Sequence, residues 1–291
     1  MQIFDAVTKT PRNLNIERND DSTDNIALLA LAQHWPLKTQ KSLLARALWQ
    51  ADRLHGFVAR SNGRMHFVAW REDVSRDGLG AMLGVEGAQA LDDQAGNVDA
   101  LFDAGFRVVG LAHFFDNHFA GSAHGVEKGG LTADGLALLA RLEKKPMIVD
   151  LAHASPKTIS DVLDHATRPV LVSHTGVRGT CDNSRNLGDD QLRRIAAGGG
   201  LVGIGFWPQA VCGNDTAAIA RAVKHAVSVA GPEHVALGSD FDGAVTMPFD
   251  ASQTGELIQS LIDAGLDRET VKAVMSGNAV RFLAEALPKR P

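Results

Sequence analysis

Cysteine is scarce in this sequence: Cys181 and Cys212 are the only two among 291 residues. Two thiols cannot build the multi-bridge framework on which small secreted folds rely, and they neither prove nor exclude an oxidising compartment. Long hydrophobic runs are also missing. No stretch approaches the roughly 18 apolar residues of a spanning helix, so no transmembrane segment is expected. MQIFDAVTKTPRN has neither the charged n-region nor the apolar h-region of a signal peptide, and a cytoplasmic protein is the expectation. Positive charge is not in excess. The net charge of −5 leaves no basic footprint for nucleic acid. No G-x-G-x-x-G follows an early strand, which removes the main sign of a dinucleotide-binding open sheet. There is no internal repeat, no low-complexity stretch and no linker rich in Pro, Gly and Ser, so residues 1–291 read as one domain.

What is present is an ordinary soluble composition, 45% hydrophobic and 22% charged. A chain of this size buries roughly 75% of its unfolded surface and so has a substantial core. From about residue 79 onward, short apolar runs alternate with amphipathic ones. Strands are expected over Leu79–Val85, Arg107–Leu111, Pro146–Leu151, Pro169–Val172, Leu201–Phe206 and His234–Gly238. Helices are expected over Asp134–Lys145, Pro156–His165, Asp189–Ala197 and Asn214–Ala230, with Ser155 capping a helix whose first turn tolerates Pro156. The strand runs are almost continuously apolar, as strands covered on both faces must be. Strand–helix alternation predicts a parallel sheet with helical cover, and this many units favour a closed (β/α) barrel. The first 78 residues read as a strand at Gln2–Val7, helices at Ser22–His34 and Thr39–Ser61, and a short extra strand at Arg64–Ala69. From Ala251 the chain reads as two or three helices.

Four ligand-type side chains stand at the ends of apolar runs: Glu86 in GAMLGVEG, His153 in PMIVDLAH, His174 in RPVLVSH and Asp240 in HVALGSDFDG. Parallel strands deliver such residues to one rim of a barrel. Two imidazoles and a carboxylate form a standard catalytic metal set with an open position, which makes Glu86, His153 and His174 the expected ligands. Asp240, beside such a site, could move a proton from water to a leaving amine. Asp242, followed by Gly243, suits a turn-capping role better. His113, closing VVGLAH, is either a further ligand or a donor to a developing oxyanion. Arg185, in CDNSRN, could clamp a substrate carboxylate, or could be a surface arginine. His118 and His124 read as loop residues without a role.

Together these stretches resemble the membrane (renal) dipeptidase family of the metal-dependent amidohydrolase superfamily. The resemblance is carried by LGVEGAQAL, GLAHFFDN, PMIVDLAHAS, PVLVSHTGVRGTCDNSRNLGDDQLRRIA, LVGIGF, EHVALGSDFDG and VKAVMSGNAVRFL. It implies a TIM-like (β/α)8 barrel, usually dimeric, that hydrolyses small dipeptides, including some with a C-terminal D-residue, through a metal-bound hydroxide. It implies two Zn2+ per site, with Glu86 bridging them and His153 and His174 on the second. It further implies His113 at the scissile carbonyl, Arg185 on the dipeptide carboxylate and Asp240 as the catalytic carboxylate.

The chain departs from the family at its start. The family's first strand carries an Asp-x-His-x-Asp type motif that binds the first zinc, and no such motif occurs here. MQIFDAVTKTPRNLN resembles the second strand and its continuation, so a barrel lacking its first β-strand is expected. Any export signal would lie in the missing segment. Glu86, His153 and His174 could still hold one zinc with a water. Two other readings stay open: a one-metal or inactive member with a binding or structural role, and an amidohydrolase acting on another small amide or lactone.

Overall fold

The computed structural model describes residues 4–5, 26–31, 42–241, 243 and 245–291. The strands are β1 (Phe4–Asp5), β2 (Ile26–Leu31), β3 (Met65–Phe67), β4 (Leu79–Val85), β5 (Phe106–Gly110), β6 (Ile148–Asp150), β7 (Leu171–Thr175), β8 (Leu201–Ile204) and β9 (Val235–Leu237). The α-helices are α1 (Leu43–Arg60), α2 (Val98–Asp103), α3 (Ala133–Lys144), α4 (Pro156–His165), α5 (Asp189–Ala197), α6 (Pro208–Val211), α7 (Thr216–Ala230), α8 (Glu256–Asp263), α9 (Arg268–Lys272) and α10 (Asn278–Ala286). All ladder pairings are parallel, in the order β1-β2-β4-β5-β6-β7-β8-β9, with β3 beside β4. At the far end of this order β9 comes back against β1, so the sheet curls as a barrel does.

One expected element differs. Where the sequence predicts a helix over 22–34, Ile26–Leu31 is a strand paired with β4 from Gly80 to Val85. A short continuous apolar run such as IALLAL carries no period that separates a buried strand from a helix. With β2 counted, the ladder path runs through eight strands, the first of which is the two-residue β1. The other residues of 2–7, 22–34 and 39–41 lie outside the described residues.

The strands alternate between two cores. Met82, Val108, Ile148, Leu171, Leu201 and Ala236 from six strands turn to one side, where Phe282 and Leu283 of α10 cover them. Their neighbours Leu83, Val109, Val149, Val172, Val202 and Leu237 face the surrounding helices. Both faces are apolar, which is why the strands read as unbroken runs rather than as an alternation. Helix starts follow local chemistry: Ser42, Thr132, Ser155, Asp215 and Asp267 each accept a backbone N–H of the first turn.

At the strand-start end of the barrel a polar cluster is buried. Arg107 donates through Nε to Ala69 O (2.7 Å) and through Nη1 to Phe102 O and Phe106 O. Its guanidinium lies 3.8 Å from the Phe102 ring centroid and 4.6 Å from that of Trp70. Burial pushes this guanidinium down to about 10, against the pull of Asp103 and Asp73. Asp73 accepts from the N–H groups of Ala69 and Trp70 and from Arg290 Nη2 at 2.5 Å. His66 Nε2 lies 3.1 Å from Asp73 O.

Candidate metal centre

The other end of the barrel gathers the ligand-type residues. Glu86 follows β4 directly and is 4% exposed. The register of β4 against β5 shifts between Leu83 and Gly84, and Gly87 adopts φ 105°, so the chain turns sharply past the carboxylate. That positive φ favours glycine, and a Cβ there would also displace the Gln89 amide.

His174 lies inside β7 rather than one residue beyond it. The register against β8 shifts between Val172 and Thr175, and such an irregularity re-aims side chains. Its Nδ1 is 3.0 Å from Ser173 Oγ, which donates to Asp150 Oδ2 at 2.5 Å. With the hydroxyl proton committed to Asp150, Ser173 accepts from Nδ1–H, and Nε2 of His174 keeps its lone pair. Asp150 Oδ1 accepts from the N–H groups of Ala152 and Ser173, so one carboxylate fastens the end of β6 to β7. Burial pushes the Asp150 carboxyl up and Glu86 adds to this, while the Ser173 hydroxyl and the two N–H groups oppose it.

His153 stands just past β6 in a left-handed conformation, φ 62°, uncommon for a residue with a Cβ. Its carbonyl accepts from Ala123 N–H. Its Nε2 is 3.0 Å from Glu86 Oε1 and 2.8 Å from His174 Nε2, and His174 Nε2 is itself 3.4 Å from Glu86 Oε1. His113 closes the group from β5, with Nε2 3.4 Å from Glu86 Oε2 and its ring against Phe114 and His153. The ligand atoms of Glu86, His113 and His153 all lie within 4.8 Å of one another. Imidazole nitrogens converging on one buried carboxylate form a donor set that suits a divalent ion of zinc's character. Among the described residues these donors suffice for one such ion.

Arg185 reaches the same mouth from the loop after β7. Nη2 donates to His174 O (2.9 Å) and Nη1 to Thr175 Oγ1 (3.3 Å), and the guanidinium carbon is 5.8 Å from the Trp207 ring centroid. Burial lowers its pKa, while Asp240, Glu86 and Asp150 raise it. Asp240, 4% exposed, follows β9 with φ 63°. Gly243 N–H donates to Asp240 O, and a Cβ at Gly243 would lie 2.4 Å from Asp240 Oδ1, so the turn folds tightly over the carboxylate. Asp242 lies outside the described residues.

All six singled-out residues thus border one mouth. His118 stays outside it, paired with Asp134 at 2.6 Å. His124 is closer than its loop position suggests: its Nε2 is 3.1 Å from His153 Nδ1. Partial burial, then Arg185 and Lys128, hold its pKa down, with Glu86 opposing. No sequence signal marks His124, because the folding of its loop, tied by Asp116 to the N–H groups of Ser122 and Glu127, brings it there. Asp150 was missed too, although an aspartate closing the apolar run PMIVD was a visible hint.

The family described as Membrane dipeptidase (Peptidase family M19) matches residues 2–289. The chain belongs to that family. An uncharacterized dipeptidase of Schizosaccharomyces pombe is 31% identical over 261 residues, 84% of this chain and 63% of that protein. An uncharacterized protein of Klebsiella pneumoniae is 32% identical over 257 residues, 81% of this chain and 94% of that protein. The chain therefore spans less than two thirds of the fission-yeast relative it matches. Among solved structures, a metallo peptidase from Rhodobacter sphaeroides, liganded with a phosphinate mimic of dipeptide L-Ala-D-Ala, superposes with TM-score 0.79 at 20% identity, covering 97% of this chain and 98% of that one. The likeness shows a shared fold, a TIM-like barrel of parallel strands with helical cover. Among the described residues, no helix is long and apolar enough to cross a membrane.

Proposed function

We propose that this chain is a zinc-dependent dipeptidase that cuts the peptide bond of free dipeptides, including those with a C-terminal D-residue. The observation that carries the reading is the convergence of His153 Nε2 and His174 Nε2 on one oxygen of Glu86, at 3.0 and 3.4 Å. Family membership supports the reaction class, and the L-Ala-D-Ala mimic held by the Rhodobacter sphaeroides metallo peptidase supports the substrate class.

Glu86, His153 and His174 would hold the ion, with His113 at its flank. A bound divalent ion there supplies Lewis acidity toward the scissile carbonyl and acidifies water. Arg185 binds the free carboxylate. Two of its five N–H donors engage His174 O and Thr175 Oγ1, which fixes the plane of the fork that meets a carboxylate. That contact selects substrates whose carboxylate lies one residue from the scissile bond. His113 donates to the oxygen on which charge develops. Asp240 takes the proton from the attacking water and passes it to the leaving amine. Phe114 and Trp207 form apolar walls that limit water around these charges.

Two measurements test the reading. Turnover of a panel of L,L- and L,D-dipeptides should exceed that of small lactones and N-blocked amides. Metal analysis should find zinc bound, and its loss should follow Glu86→Gln. Hydrolysis confined to lactones, or no zinc uptake at all, would overturn the assignment.

A further inference from the structure

We infer that the Cys181–Cys212 disulfide is a positioning element for Arg185, one that sets affinity for the substrate carboxylate without acting on the metal ligands. The inference rests on the dipeptidase reading, in which Arg185 meets that carboxylate.

The bridge joins two neighbouring segments, whose Cα atoms at Cys181 and Cys212 are 5.2 Å apart. One is the loop from Gly176 to Leu187, which carries Arg185. The other is α6, which starts after Trp207 and is followed directly by Cys212 at its C-cap. Cys181 is 3% exposed. Around the bridge, two asparagines repeat the same connection. Asn183 Nδ2 donates to Gln209 O at 2.8 Å, and its Oδ1 accepts from the N–H of Arg185 itself at 3.0 Å. Asn186 Nδ2 donates to Cys181 O (2.7 Å) and Ala210 O (2.9 Å), and its Oδ1 accepts from Gly176 N–H. One covalent and several polar ties thus converge on a helix of four residues.

A helix that short does not sustain itself, because forming its first turn fixes several residues for one hydrogen bond. What holds α6 is therefore what it is tied to. At its N-cap is Trp207, whose ring centroid lies 5.8 Å from that of His174 and equally far from the Arg185 guanidinium carbon. The staple accordingly fixes two things at once, the backbone beneath Arg185 and the aromatic wall beside its guanidinium. Of the metal-ligand residues only His174 meets the stapled side, through Trp207 and Arg185, and all three have supports outside it: strand ends, the Ser173–Asp150 pair and His124.

The test compares the full chain with Cys181→Ser/Cys212→Ser, Asn183→Ala and Arg185→Ala, measuring KM, kcat, zinc per chain and Tm, with a dipeptide and its C-terminal amide as substrates. Both staple variants should raise KM for the free dipeptide about tenfold, leave kcat within about twofold, and narrow the preference for acid over amide. Zinc per chain should match the parent. A merely structural bridge would lower Tm without shifting the acid-to-amide preference, and that result overturns the inference. So does a fall in kcat that tracks lost zinc. If the double serine variant does not fold, Asn183→Ala decides the matter alone. Arg185→Ala separates the two levels. If it leaves KM unchanged, the carboxylate-binding reading fails; if it raises KM while the staple variants do not, only the staple fails.

Discussion

At the scale of single residues, Asp240 is the sharpest probe of the chemistry. Its φ of 63° is a conformation asparagine also tolerates, so Asp240→Asn removes the proton acceptor without asking the backbone to change. Turnover should fall about 10²- to 10⁴-fold with zinc content preserved. Full turnover in the variant would remove Asp240 from the proton path. Ser173 offers a second probe. It fixes the tautomer of His174 from behind, and loss of such an outer partner typically weakens metal binding by about 10- to 100-fold. Ser173→Ala should show that loss in a competitive zinc titration, with the fold intact by circular dichroism.

At the scale of elements, the strands that deliver the ligands were legible because they are covered on both faces. Met82 and Leu83, or Val108 and Val109, point to opposite cores and are both apolar, so the run is unmistakable. The same property hid β2: Ile26–Leu31 is also continuously apolar, and nothing local distinguishes it from a buried helical turn. The rim residues were legible as types at strand ends. Their partners were not, since Asp150 acts through a shared hydrogen bond to Ser173, and His124 arrives on a folded loop. The strand-start end carries its own prediction. His66, on β3, is buried, and its Nδ1 has no hydrogen-bond partner among the described residues. Burial and then Arg76 lower its pKa, against Asp73 and the carbonyl of Asp77. Since the folded value lies below the ordinary one near 6.5, the unfolded chain takes the proton first. Stability from this group is then complete above about pH 6.5 and declines below it, by at most about 1.4 kcal/mol per pH unit. Urea denaturation of the metal-free chain between pH 7 and pH 5 should show a slope of that sign, and His66→Leu should reduce it.

For the whole molecule, ion binding and folding are linked. Strand ends β4, β6 and β7 bring Glu86, His153 and His174 together only in the folded barrel, so a divalent ion held by them would bind the native state in preference to the unfolded one. At a free concentration about 100 times Kd, this adds about 2.7 kcal/mol. Chelation should lower Tm by several degrees and zinc should restore it, as read by calorimetry at fixed protein concentration. An unchanged Tm, with zinc uptake verified, would place the ion outside the folded core. The molecule also keeps its tasks apart: Glu86, His113, His153 and His174 crowd one opening of the barrel, while Arg107, Asp73 and Arg290 knit the other. Directed evolution could exploit that division. Variants selected for endurance at high temperature would accumulate around Arg107, those selected for a new diet of substrates would cluster around Arg185, and the two sets could be recombined with little interference.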